Sequence, residues 1–573
     1  MIRPAPARSV MRSFPFPPCG AKVYSSAICS RIYFTIPGPG GLRMADESLR
    51  PQRLLHDSLL QRGAAATQDR IAVIADGESH TFGKLLEAAQ RLAGALRSRG
   101  VGRGDRVAIQ LENSFTCAIA IFGTLIAGGV FVVINPQTKP GKLEFILRDC
   151  GARALITEGA LEQVYLAALR GLEQAPVLLC SGKCEGPAEP LEATLEAAQP
   201  LREPVPAIPL DLAAIIYTSG STGTPKGVMQ THQAMVFATG SLIEYLRLTE
   251  RDRILCVLPL SFDYGLYQLL MAVALGACLV LERSFTFLGQ VLDRIRQEQP
   301  TVFPGVPTIF ATLLGAHRRS ALCFPSVTRI TNTAAALPDE FSTGLRELFP
   351  NALIYKMYGL TECKRVSYLA PELIDAKPGS VGKAIPGTEI YLLSADGKPV
   401  PAGEVGILYV RGPHVMAGYW NRPDLTAEML KPGKLPGERV LCTHDLFRMD
   451  GDGYLYFVGR TDDIIKTRGE KVSPVEVENA LHRIRGVREA AVVGVPDELL
   501  GEAIRAYVVT DPAAGLTAES LRGASGAHLE SYMVPTQVVF RDSLPRTPNG
   551  KVNKRLLVQE SVAAFSSHAS LAT

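Results

Sequence analysis

The sequence predicts an α/β protein whose large N-terminal domain has layered, largely parallel sheets with helices. The first observation is length, because the chain has 573 residues and a single hydrophobic core stops growing at about 250–300 residues. The second is the alternation of short apolar runs with helical segments along most of the chain, which is typical of stacked α/β layers. The third is a compact C-terminal segment, predicted to form a small α+β domain.

The individual elements follow from their local patterns. Strand-like runs cover residues 106–110, 152–156 and 253–257, and helical segments cover residues 84–100 and 287–297. Between residues 376 and 460 the pattern changes to short strands separated by Gly and Pro turns, which indicates a small β-subdomain. These short strands are predicted at 389–393, 406–410 and 453–458.

One uncharged stretch is long enough to cross a membrane. It lies between Glu112 and Lys139, and about 20 apolar residues span a bilayer. However, Gly128 and Gly129 interrupt it, and a β-like run follows at residues 130–134. We therefore predict a buried helix followed by a buried parallel strand, and no membrane span.

Composition and charge exclude several classes of protein. Hydrophobic residues make up 47% of the chain and charged residues 20%, which excludes a largely disordered protein. The net charge is +4, but residues 1–44 hold six basic side chains and no acidic one, which leaves about −2 for the rest. A nucleic-acid binder is therefore not predicted. The eleven cysteines are interpreted as free thiols in a reducing compartment, the cytoplasm, without a zinc site.

We divide the chain into four parts. Residues 1–44 are predicted to be a disordered extension or, alternatively, an organelle transit peptide, because they are basic, rich in Ser and free of acidic residues. Their prolines argue against the amphipathic helix of such peptides. The large domain is assigned to residues 45–459, the small C-terminal domain to 460–560, and a tail to 561–573.

Residues 218–227 have the composition of a phosphate-binding loop. They contain three Gly, five hydroxyl side chains and one Lys, directly after a buried-strand pattern at 213–217. Small residues let backbone N–H groups approach an anion, the hydroxyls donate hydrogen bonds, and Lys226 supplies positive charge. No Gly-Lys-Ser/Thr closes the loop, so it is not a Walker A motif. A helix is predicted to begin beyond Thr231.

This loop resembles the signature loop of the adenylate-forming superfamily, which includes acyl-CoA synthetases, aryl-CoA ligases, luciferases and the adenylation domains of nonribosomal peptide synthetases. Four further motifs follow in the family's order, and the resemblance runs from about residue 55 to 557. They are Tyr358-Gly359-Leu360-Thr361-Glu362, Thr443-His444-Asp445, Gly459–Lys466 and Pro545–Lys551. His444 is a mild departure, because the family more often has Thr-Gly-Asp at these three positions.

The resemblance implies ATP and Mg²⁺ as cofactors and a role for each matched residue. The implied catalytic residues are Lys551, Thr222, Lys226 and Glu362, with Glu362 also the metal ligand. The implied nucleotide-binding residues are Thr218, Ser219, Gly220, Ser221, Gly223, Tyr358, Gly359, Thr361, Asp445 and Arg460. Asp462 is the implied hinge of a mobile C-terminal domain, and Gly469 lines the implied thiol channel.

The implied reaction has two steps. The substrate carboxylate attacks the α-phosphorus of ATP and pyrophosphate leaves, in a step governed by positioning and electrostatic stabilisation. The C-terminal domain then rotates and withdraws Lys551, and a thiol attacks the acyl carbonyl. The acceptor is CoA or the phosphopantetheine of a separate carrier protein, since no carrier domain follows residue 560.

The segment 258–266 bears on the substrate. Relatives that make acyl-CoA or aryl-CoA commonly carry His near the position of Asp263, whereas amino-acid-activating relatives carry Asp, which binds the substrate ammonium. Alternatively, Asp263 pairs with a protein cation, Lys364 or Arg365, or caps a helix; one of these cations could instead bind a second carboxylate. Lys364 is expected at the solvent rim. The remaining implied pocket walls are Tyr264, Tyr267, Met357 and Val306.

Three functions stay open at this point. The main prediction is an AMP-forming ligase that activates a small carboxylic acid and forms a thioester. The second is a free-standing amino-acid adenylation enzyme, with proline among the candidates, that loads a separate carrier protein. The third is a catalytically silent nucleotide-binding protein, against which the intact Glu362 and Lys551 argue.

Overall fold

The computed structural model describes residues 52–64, 67–184, 186–219, 225–333, 337, 341–461, 463–467, 470–497, 500–547 and 550–569. The predictions for residues 1–44 lie outside this part of the chain. The helices are α1 (Asp57–Ala64), α2 (Phe82–Ser98), α3 (Phe115–Ile126), α4 (Pro140–Cys150), α5 (Glu162–Leu169), α6 (Leu191–Ala197), α7 (His232–Tyr245), α8 (Asp263–Leu275), α9 (Leu288–Glu298), α10 (Pro307–Ser320), α11 (Phe341–Leu348), α12 (Pro423–Met429), α13 (Pro474–His482), α14 (Ala518–Gly526) and α15 (Lys554–Ala569).

The strands, in chain order, are β1 (Ile71–Ala75), β2 (Glu78–Thr81), β3 (Arg106–Ile109), β4 (Val130–Val133), β5 (Ala152–Glu158), β6 (Val177–Ser181), β7 (Glu189–Pro190), β8 (Leu212–Ser219), β9 (Pro225–Thr231), β10 (Arg253–Cys256), β11 (Cys278–Leu281), β12 (Val302–Gly305), β13 (Arg329–Asn332), β14 (Leu353–Tyr358), β15 (Ser367–Leu369), β16 (Ser380–Ala384), β17 (Glu389–Leu393), β18 (Val405–Arg411), β19 (Gly418–Tyr419), β20 (Leu430–Pro432), β21 (Arg439–Met449), β22 (Leu455–Arg460), β23 (Ile465–Thr467), β24 (Glu470–Val472), β25 (Val487–Asp497), β26 (Gly501–Thr510) and β27 (Gln537–Phe540).

Several helices begin at a hydroxyl side chain that accepts a backbone hydrogen bond from the first turn. Thr81 caps α2, Ser114 caps α3 and Thr231 caps α7. Such a cap satisfies one of the unpaired N–H groups at a helix start, which contributes about 1 kcal/mol. The helix predicted beyond Thr231 is therefore confirmed, and its first residue follows the cap directly.

The first sheet has the order β19-β9-β8-β4-β3-β5-β6-β7. All its neighbouring strands from β8 to β7 are parallel. In β3, Val107 and Ile109 belong to one apolar core and Ala108 to another on the opposite face. Burial of both faces explains why such strands read as continuous apolar runs instead of alternating ones.

The second sheet is longer and has the order β17-β18-β21-β22-β16-β15-β14-β13-β12-β10-β11-β1-β2, with β20 beside β21. Its strands from β1 and β11 through β14 pair in parallel. Antiparallel pairing then takes over from β14 through β15, β16 and β22. The predicted β-subdomain is therefore hydrogen-bonded to the parallel core through β15 and β16, although it has an apolar cluster of its own.

The largest apolar core joins the first two sheets. It contains residues of β3, β4, β5 and β8 together with residues of β1, β10, β11 and β12, and helices α2, α3 and α8 contribute to it. The uncharged stretch after Glu112 forms α3 and β4, as predicted, and every residue of β4 is buried. In the described part of the chain, no helix is both long and apolar enough to span a bilayer.

The third sheet belongs to the C-terminal part of the chain. It has the order β24-β23-β26-β25, with β27 beside β26. Val492 packs in one apolar cluster, whereas Ala491 and Val493 pack in the other, so both faces of β25 are covered. Helix α15 continues beyond residue 560 to Ala569.

Two details differ from the sequence predictions. Cys180 and Cys184 form a disulfide bond, so the expectation that all cysteines are free thiols is wrong for this pair. The predicted loop at 218–227 is also narrower than expected, because β8 continues through Ser219 and β9 begins at Pro225. The two strands pair in antiparallel fashion as far as Ser219 and Pro225, and residues 220–224 between them lie outside the described part of the chain.

Candidate active site

The site lies where β14 ends and the chain turns back on itself. Tyr358 is the last residue of β14, and Gly359 follows it. A Cβ atom on Gly359 would lie 2.3 Å from the carbonyl oxygen of Lys364 and 2.9 Å from Cα of Arg365. Only glycine leaves room for this close approach. The motif at 358–362 therefore folds over the segment that follows it.

Tyr358 and Asp445 form a buried pair. The Tyr358 hydroxyl donates a hydrogen bond to Oδ2 of Asp445, and the Tyr358 ring packs edge-on against Phe447, with 4.7 Å between ring centroids. Burial, followed by the charge of Asp445, raises the pKa of Tyr358. Two motifs that lie 87 residues apart in the chain are thus joined by one hydrogen bond.

The second oxygen of Asp445 is open. Oδ1 is buried and has no hydrogen-bond partner among the residues described, and Nε of Arg460, on the adjacent strand β22, lies 3.8 Å from it. Burial raises the pKa of Asp445 to about 6, while Arg460, Tyr358 and Lys551 act in the opposite direction. A buried acceptor without a donor suits a hydroxyl-bearing ligand such as ribose.

His444 takes a backbone conformation that glycine adopts more readily. Its φ is +58°, in the left-handed region where non-glycine residues other than Asn, Asp and His are rare. Its carbonyl accepts a hydrogen bond from the backbone N–H of Thr461, at 2.9 Å. The turn explains why glycine is the more usual residue in the family motif, and His444 keeps the turn beside Asp445.

A second group of side chains surrounds Glu362. Tyr419 donates a hydrogen bond to Oε1 of Glu362, at 2.6 Å, and Nζ of Lys226 lies 5.6 Å from the centroid of the Tyr419 ring. Burial and the Glu362 charge raise the pKa of Tyr419, so the phenol remains a donor. The backbone carbonyl of Thr361 accepts from Nε2 of Gln230 at 2.9 Å. Strand β9 therefore connects Lys226 to the 358–362 motif.

Asp263 and Lys364 form a buried ion pair. Nζ of Lys364 lies 3.6 Å from Oδ2 of Asp263, and the residues are only 4% and 7% exposed. Burial lowers the pKa of Lys364 to about 7, although Asp263 raises it. The expectation that Lys364 lies at the solvent rim is wrong, because its backbone turns inward at φ +62°. Asp263 is also the first residue of α8.

Arg365 is buried beside this pair. It is 1% exposed, it donates from Nη1 to the hydroxyl of Thr333, and its guanidinium lies 5.4 Å from the Tyr264 ring centroid. The Tyr264 hydroxyl is itself bonded to Thr331, at 2.7 Å from the carbonyl oxygen. Arg365 therefore packs among aromatic and hydroxyl groups.

The other predicted pocket residues lie around the same cluster. Nζ of Lys364 lies 4.5 Å from the Tyr267 ring centroid. Met357 accepts a hydrogen bond at Sδ from the hydroxyl of Tyr245, at 3.0 Å. Val306 is buried, just before α10. The structure therefore brings Tyr264, Tyr267 and Arg365 together directly. Met357 is linked to them through Tyr245. The Arg365 charge lowers the pKa of Tyr245, although burial has the larger and opposite effect.

Lys551 reaches the site from the C-terminal part of the chain. It is exposed, and its charge acts on Asp445. The neighbouring Gly550 approaches α10, since a Cβ there would lie 4.0 Å from the hydroxyl of Thr308. Two residues predicted in the phosphate loop lie instead on the strands beside it, because Thr218 on β8 pairs with Lys226 on β9. Outside the described residues are Gly220, Ser221, Thr222, Gly223, Asp462 and Gly469, and nothing is described of the Ser219 side chain.

Sequence reasoning missed Tyr419 and Thr333. Tyr419 contacts both Glu362 and Lys226, yet it lies on the short strand β19, far from either in the chain. The sequence signal for Tyr419 was its place between Gly418 and Trp420, a pattern of aromatic residues at a turn. Thr333 directly follows strand β13, where polar side chains at a strand end could have been considered.

Comparison with known proteins shows the family to which the chain belongs. The profile of the AMP-binding enzyme family matches residues 60–420, and that of the AMP-binding enzyme C-terminal domain matches residues 476–551. A long-chain-fatty-acid–CoA ligase of Bacillus subtilis is 31% identical over 535 residues, covering 88% of this chain and 94% of its own. The solved benzoate CoA ligase from Burkholderia xenovorans LB400 is 29% identical, with a TM-score of 0.80 over 88% of this chain and 99% of that one.

A probable non-canonical nonribosomal peptide synthetase of Salinispora arenicola is also similar. It is 35% identical over 492 residues, which cover 85% of this chain and only 6% of that much longer protein. The fold, with its large N-terminal and smaller C-terminal domain, and these similarities define an ATP-dependent, AMP-forming acid–thiol ligase. Such an enzyme activates a carboxylic acid as an acyl-adenylate and transfers the acyl group to a thiol. The chain belongs to the AMP-binding enzyme family.

Proposed function

We propose that this ligase activates a carboxylic acid that lacks an α-ammonium group and transfers the acyl group to CoA. The observation that carries the proposal is the buried ion pair between Asp263 and Lys364, at 3.6 Å. A buried carboxylate is tolerated when one cation compensates it. Lys364 supplies that cation, so Asp263 does not need a cationic substrate to compensate its charge.

A substrate ammonium at Asp263 would be opposed by charge. Arg365 is a cation, Lys364 is one in its protonated form, and both are almost fully buried there. Like charges a few ångströms apart repel strongly where water is excluded. An α-amino acid would therefore have to displace Lys364 before it could bind, whereas a simple carboxylic acid meets no such obstacle.

The nucleotide half of the site is proposed from the arrangement around Asp445. The open oxygen Oδ1 would accept a ribose hydroxyl, and Arg460 would lie beside it. Tyr358, held by its hydrogen bond to Asp445, would present its ring to the adenine. A hydrogen bond to a charged acceptor contributes about 1.5–3 kcal/mol. Asp445 would therefore contribute a large part of the free energy with which the ribose binds.

Glu362 is the proposed metal ligand, and its chemistry fits Mg²⁺. Mg²⁺ prefers oxygen ligands and usually takes one or two carboxylates together with phosphates and water. No cluster of three or more potential ligands is found among the described residues. When bound, Mg²⁺ neutralises phosphate charge. Tyr419 would orient Glu362 through its hydrogen bond to Oε1.

The transfer itself is proposed to depend on two lysines and the hairpin loop. Lys226 and Thr222, with the loop's backbone N–H groups, would hold the phosphates. Lys551 would draw the substrate carboxylate toward the α-phosphate and stabilise the charge that develops there. Rotation about Asp462 would then remove Lys551 and bring Gly469 to the thiol channel, so that the acyl carbonyl is open to attack.

The cytoplasm is the proposed location. The cysteines outside the Cys180–Cys184 pair are free thiols within the described residues, and all but Cys323 are buried. Burial raises the pKa of Cys256 to about 12, which keeps that thiol protonated and unreactive. An enzyme that consumes ATP and CoA would find both there.

The proposal is tested by ATP–pyrophosphate exchange with purified protein. The panel contains the proteinogenic amino acids, proline among them, beside aliphatic, aromatic and dicarboxylic acids. We expect exchange with acids that lack an α-ammonium group and not with amino acids. Product analysis with CoA and with a phosphopantetheinylated carrier protein then identifies the acceptor, and we expect the CoA thioester.

Two variants separate the alternatives. Asp263→Asn leaves Lys364 without its partner, so we expect lower thermal stability but an unchanged order of preferred acids. Exchange driven by one amino acid, and lost in Asp263→Asn, would instead mean that Asp263 binds an ammonium group and that the acceptor is a carrier protein. Glu404→Gln, on the exposed surface, serves as the matched acid-to-amide control.

A further inference from the structure

Two successive cations are buried in the acyl pocket against a single carboxylate. Lys364 and Arg365 are 4% and 1% exposed, and Asp263 is 7% exposed. Asp263 lies 3.6 Å from Lys364. Within the part of the chain that the structure describes, Arg365 forms no ion pair of its own. Once Asp263 is assigned to Lys364, one positive charge is left over.

The backbone is shaped to place both cations on the same side. In an extended chain, neighbouring side chains point in opposite directions. At Lys364 the chain instead takes φ +62°, which is rarely adopted by long side chains and is typically retained at functional sites. As a result, Lys364 and Arg365 lie 5.5 Å and 5.4 Å from the centroid of the same Tyr264 ring.

Arg365 has unused hydrogen-bonding capacity inside the protein. A guanidinium has five N–H donors, and Nη1 donates to the hydroxyl of Thr333. The buried Nε has no hydrogen-bond partner among the described residues. Buried polar atoms are nearly always paired, and an arginine fork matches the two oxygens of an anionic group.

The other pocket groups that the structure describes do not supply an anion. The hydroxyl of Tyr264 is bonded to Thr331 and that of Tyr245 donates to Met357, and burial raises the pKa of both phenols. Loss of the Lys364 proton would reduce the total charge of the cluster. It would not provide an acceptor for Nε of Arg365, and it would leave Asp263 paired with a neutral amine.

We propose that Arg365, with Lys364 beside it, forms an anion subsite in the acyl pocket, and that the substrate is a carboxylic acid carrying a second anionic group, a carboxylate or a sulfonate. The inference rests on the proposed function, since it names the class of acid that the same site activates. The first carboxylate is adenylated, and the second group binds to Arg365 and stays unchanged.

The test compares acids that differ only in the second charge. ATP–pyrophosphate exchange is measured with the dicarboxylic acids from malonate to suberate, with their monomethyl esters, and with the corresponding ω-sulfonated acids. We expect kcat/KM for the best dianionic acid to exceed that for its ester or amide by about 100-fold or more, because a buried polar partner is left unpaired by the neutral analogue. The dicarboxylic and sulfonated series show which anionic group is preferred.

The role of Arg365 is tested by the ratio of kcat/KM for the dianionic acid to that for its ester. Arg365→Gln is expected to bring this ratio close to one, and Arg365→Lys to lower it about tenfold, since lysine keeps the charge and loses the bidentate fork. Arg346→Gln, a surface arginine paired with Asp375, should keep the wild-type ratio. Thermal unfolding shows which variants are folded.

The possible outcomes separate the two proposals. Exchange with no carboxylic acid, or with an amino acid, contradicts the proposed function. Exchange with monocarboxylic acids at the same efficiency as with dianionic ones leaves that function intact and overturns the anion subsite. A wild-type preference that persists in Arg365→Gln also overturns it. If neither Arg365 variant folds, the wild-type comparison of acids and esters decides.

Discussion

At the scale of single residues, burial determines how the charged groups of this site behave. Asp445 is a carboxylate whose pKa burial raises to about 6, and its open oxygen is the proposed ribose acceptor. A protonated carboxyl has lost the charge that strengthens such a hydrogen bond. Nucleotide affinity should therefore depend on pH in a range where an ordinary Asp would not titrate.

We predict that the Kd for MgATP rises about tenfold between pH 7 and pH 5, since a group with a pKa near 6 is mostly protonated at the lower pH. Calorimetric titration at a series of pH values measures it. The free energy of unfolding changes with pH in the opposite direction. It falls as pH rises, because the folded state binds the Asp445 proton more tightly than the unfolded chain does. The Asp445 contribution is favourable below about pH 4 and is lost as pH rises to about 6.

The control is Asp445→Asn, which cannot titrate. ATP itself gains a proton in this range, and that contribution remains in the variant. We expect the variant to bind weakly with a much flatter pH profile. An equally steep profile in Asp445→Asn would show that Asp445 is not the titrating group.

Residue identities were easier to predict from the sequence than side-chain directions. The motifs predicted Tyr358, Asp445 and Arg460 as one site, and the structure brings these three side chains together. The direction of Lys364 could not be predicted, because it depends on one left-handed backbone angle that a lysine seldom adopts. Tyr419 was missed because a separate short strand carries it.

At the scale of elements, the site depends on how tightly the 358–366 segment folds back. Gly359 lies so close to Lys364 that an added Cβ would meet the Lys364 carbonyl oxygen at 2.3 Å. The clash involves backbone, which cannot rotate away as a flexible side chain can. Gly359 therefore fixes the position of both pocket cations, although it has no side chain that could contact a ligand.

We predict that Gly359→Ala destabilises the protein by about 1–3 kcal/mol, the usual cost of forcing an extra methyl group into a packed site. It should also reduce pyrophosphate exchange strongly, because Lys364 and Arg365 move. Denaturant unfolding and exchange assays measure the two effects.

Gly141 offers the matched substitution. It lies on the exposed surface of α4, and an added Cβ there meets nothing within 4 Å. Gly141→Ala should be neutral or slightly stabilising, since Ala favours helix by about 1 kcal/mol over Gly. A Gly359→Ala protein that behaves like Gly141→Ala would contradict the tight packing of this turn.

Elements with regular apolar patterns were predicted to within one or two residues. The helix predicted at 84–100 is observed at Phe82–Ser98, and the strand predicted at 389–393 has the same bounds in the structure. The phosphate loop was predicted too wide, because small and hydroxyl residues resemble a loop even where they pair across a hairpin. Long-range pairing decided its width, as with many strand ends.

At the scale of the whole molecule, the proposed catalytic lysine depends on contact between distant parts of the chain. Gly550 approaches α10, with 4.0 Å between an added Cβ and the hydroxyl of Thr308. Lys551 is close enough for its charge to act on Asp445. This arrangement fits the adenylation step, and the proposed transfer to a thiol requires it to open.

We predict that a disulfide between Thr308→Cys and Gly550→Cys holds the protein in the adenylation arrangement. The two positions are close, since a Cβ at Gly550 would lie 4.0 Å from Oγ1 of Thr308, the atom that the cysteine sulfur replaces, although Gly550 has φ +79° and a side chain there is strained. The oxidised double variant should keep pyrophosphate exchange and lose thioester formation. Reduction should restore the second activity.

Each single cysteine variant is carried through the same oxidation, because Cys323 is a free cysteine on the exposed surface. Both singles should retain thioester formation before and after oxidation. Thioester formation at an undiminished rate in the bridged protein would mean that the C-terminal part need not move between the two steps.

The hydrogen bond between Tyr358 and Asp445 also has a consequence during synthesis. Its two residues are 87 positions apart, on β14 and β21 of one continuous sheet. A growing chain on the ribosome that has released everything up to β14 already holds most of the apolar core, yet it lacks Asp445, the proposed ribose acceptor. Nucleotide bound through this proposed acceptor can therefore stabilise only chains that extend beyond β21, and shorter translation products gain no such protection from cellular ATP.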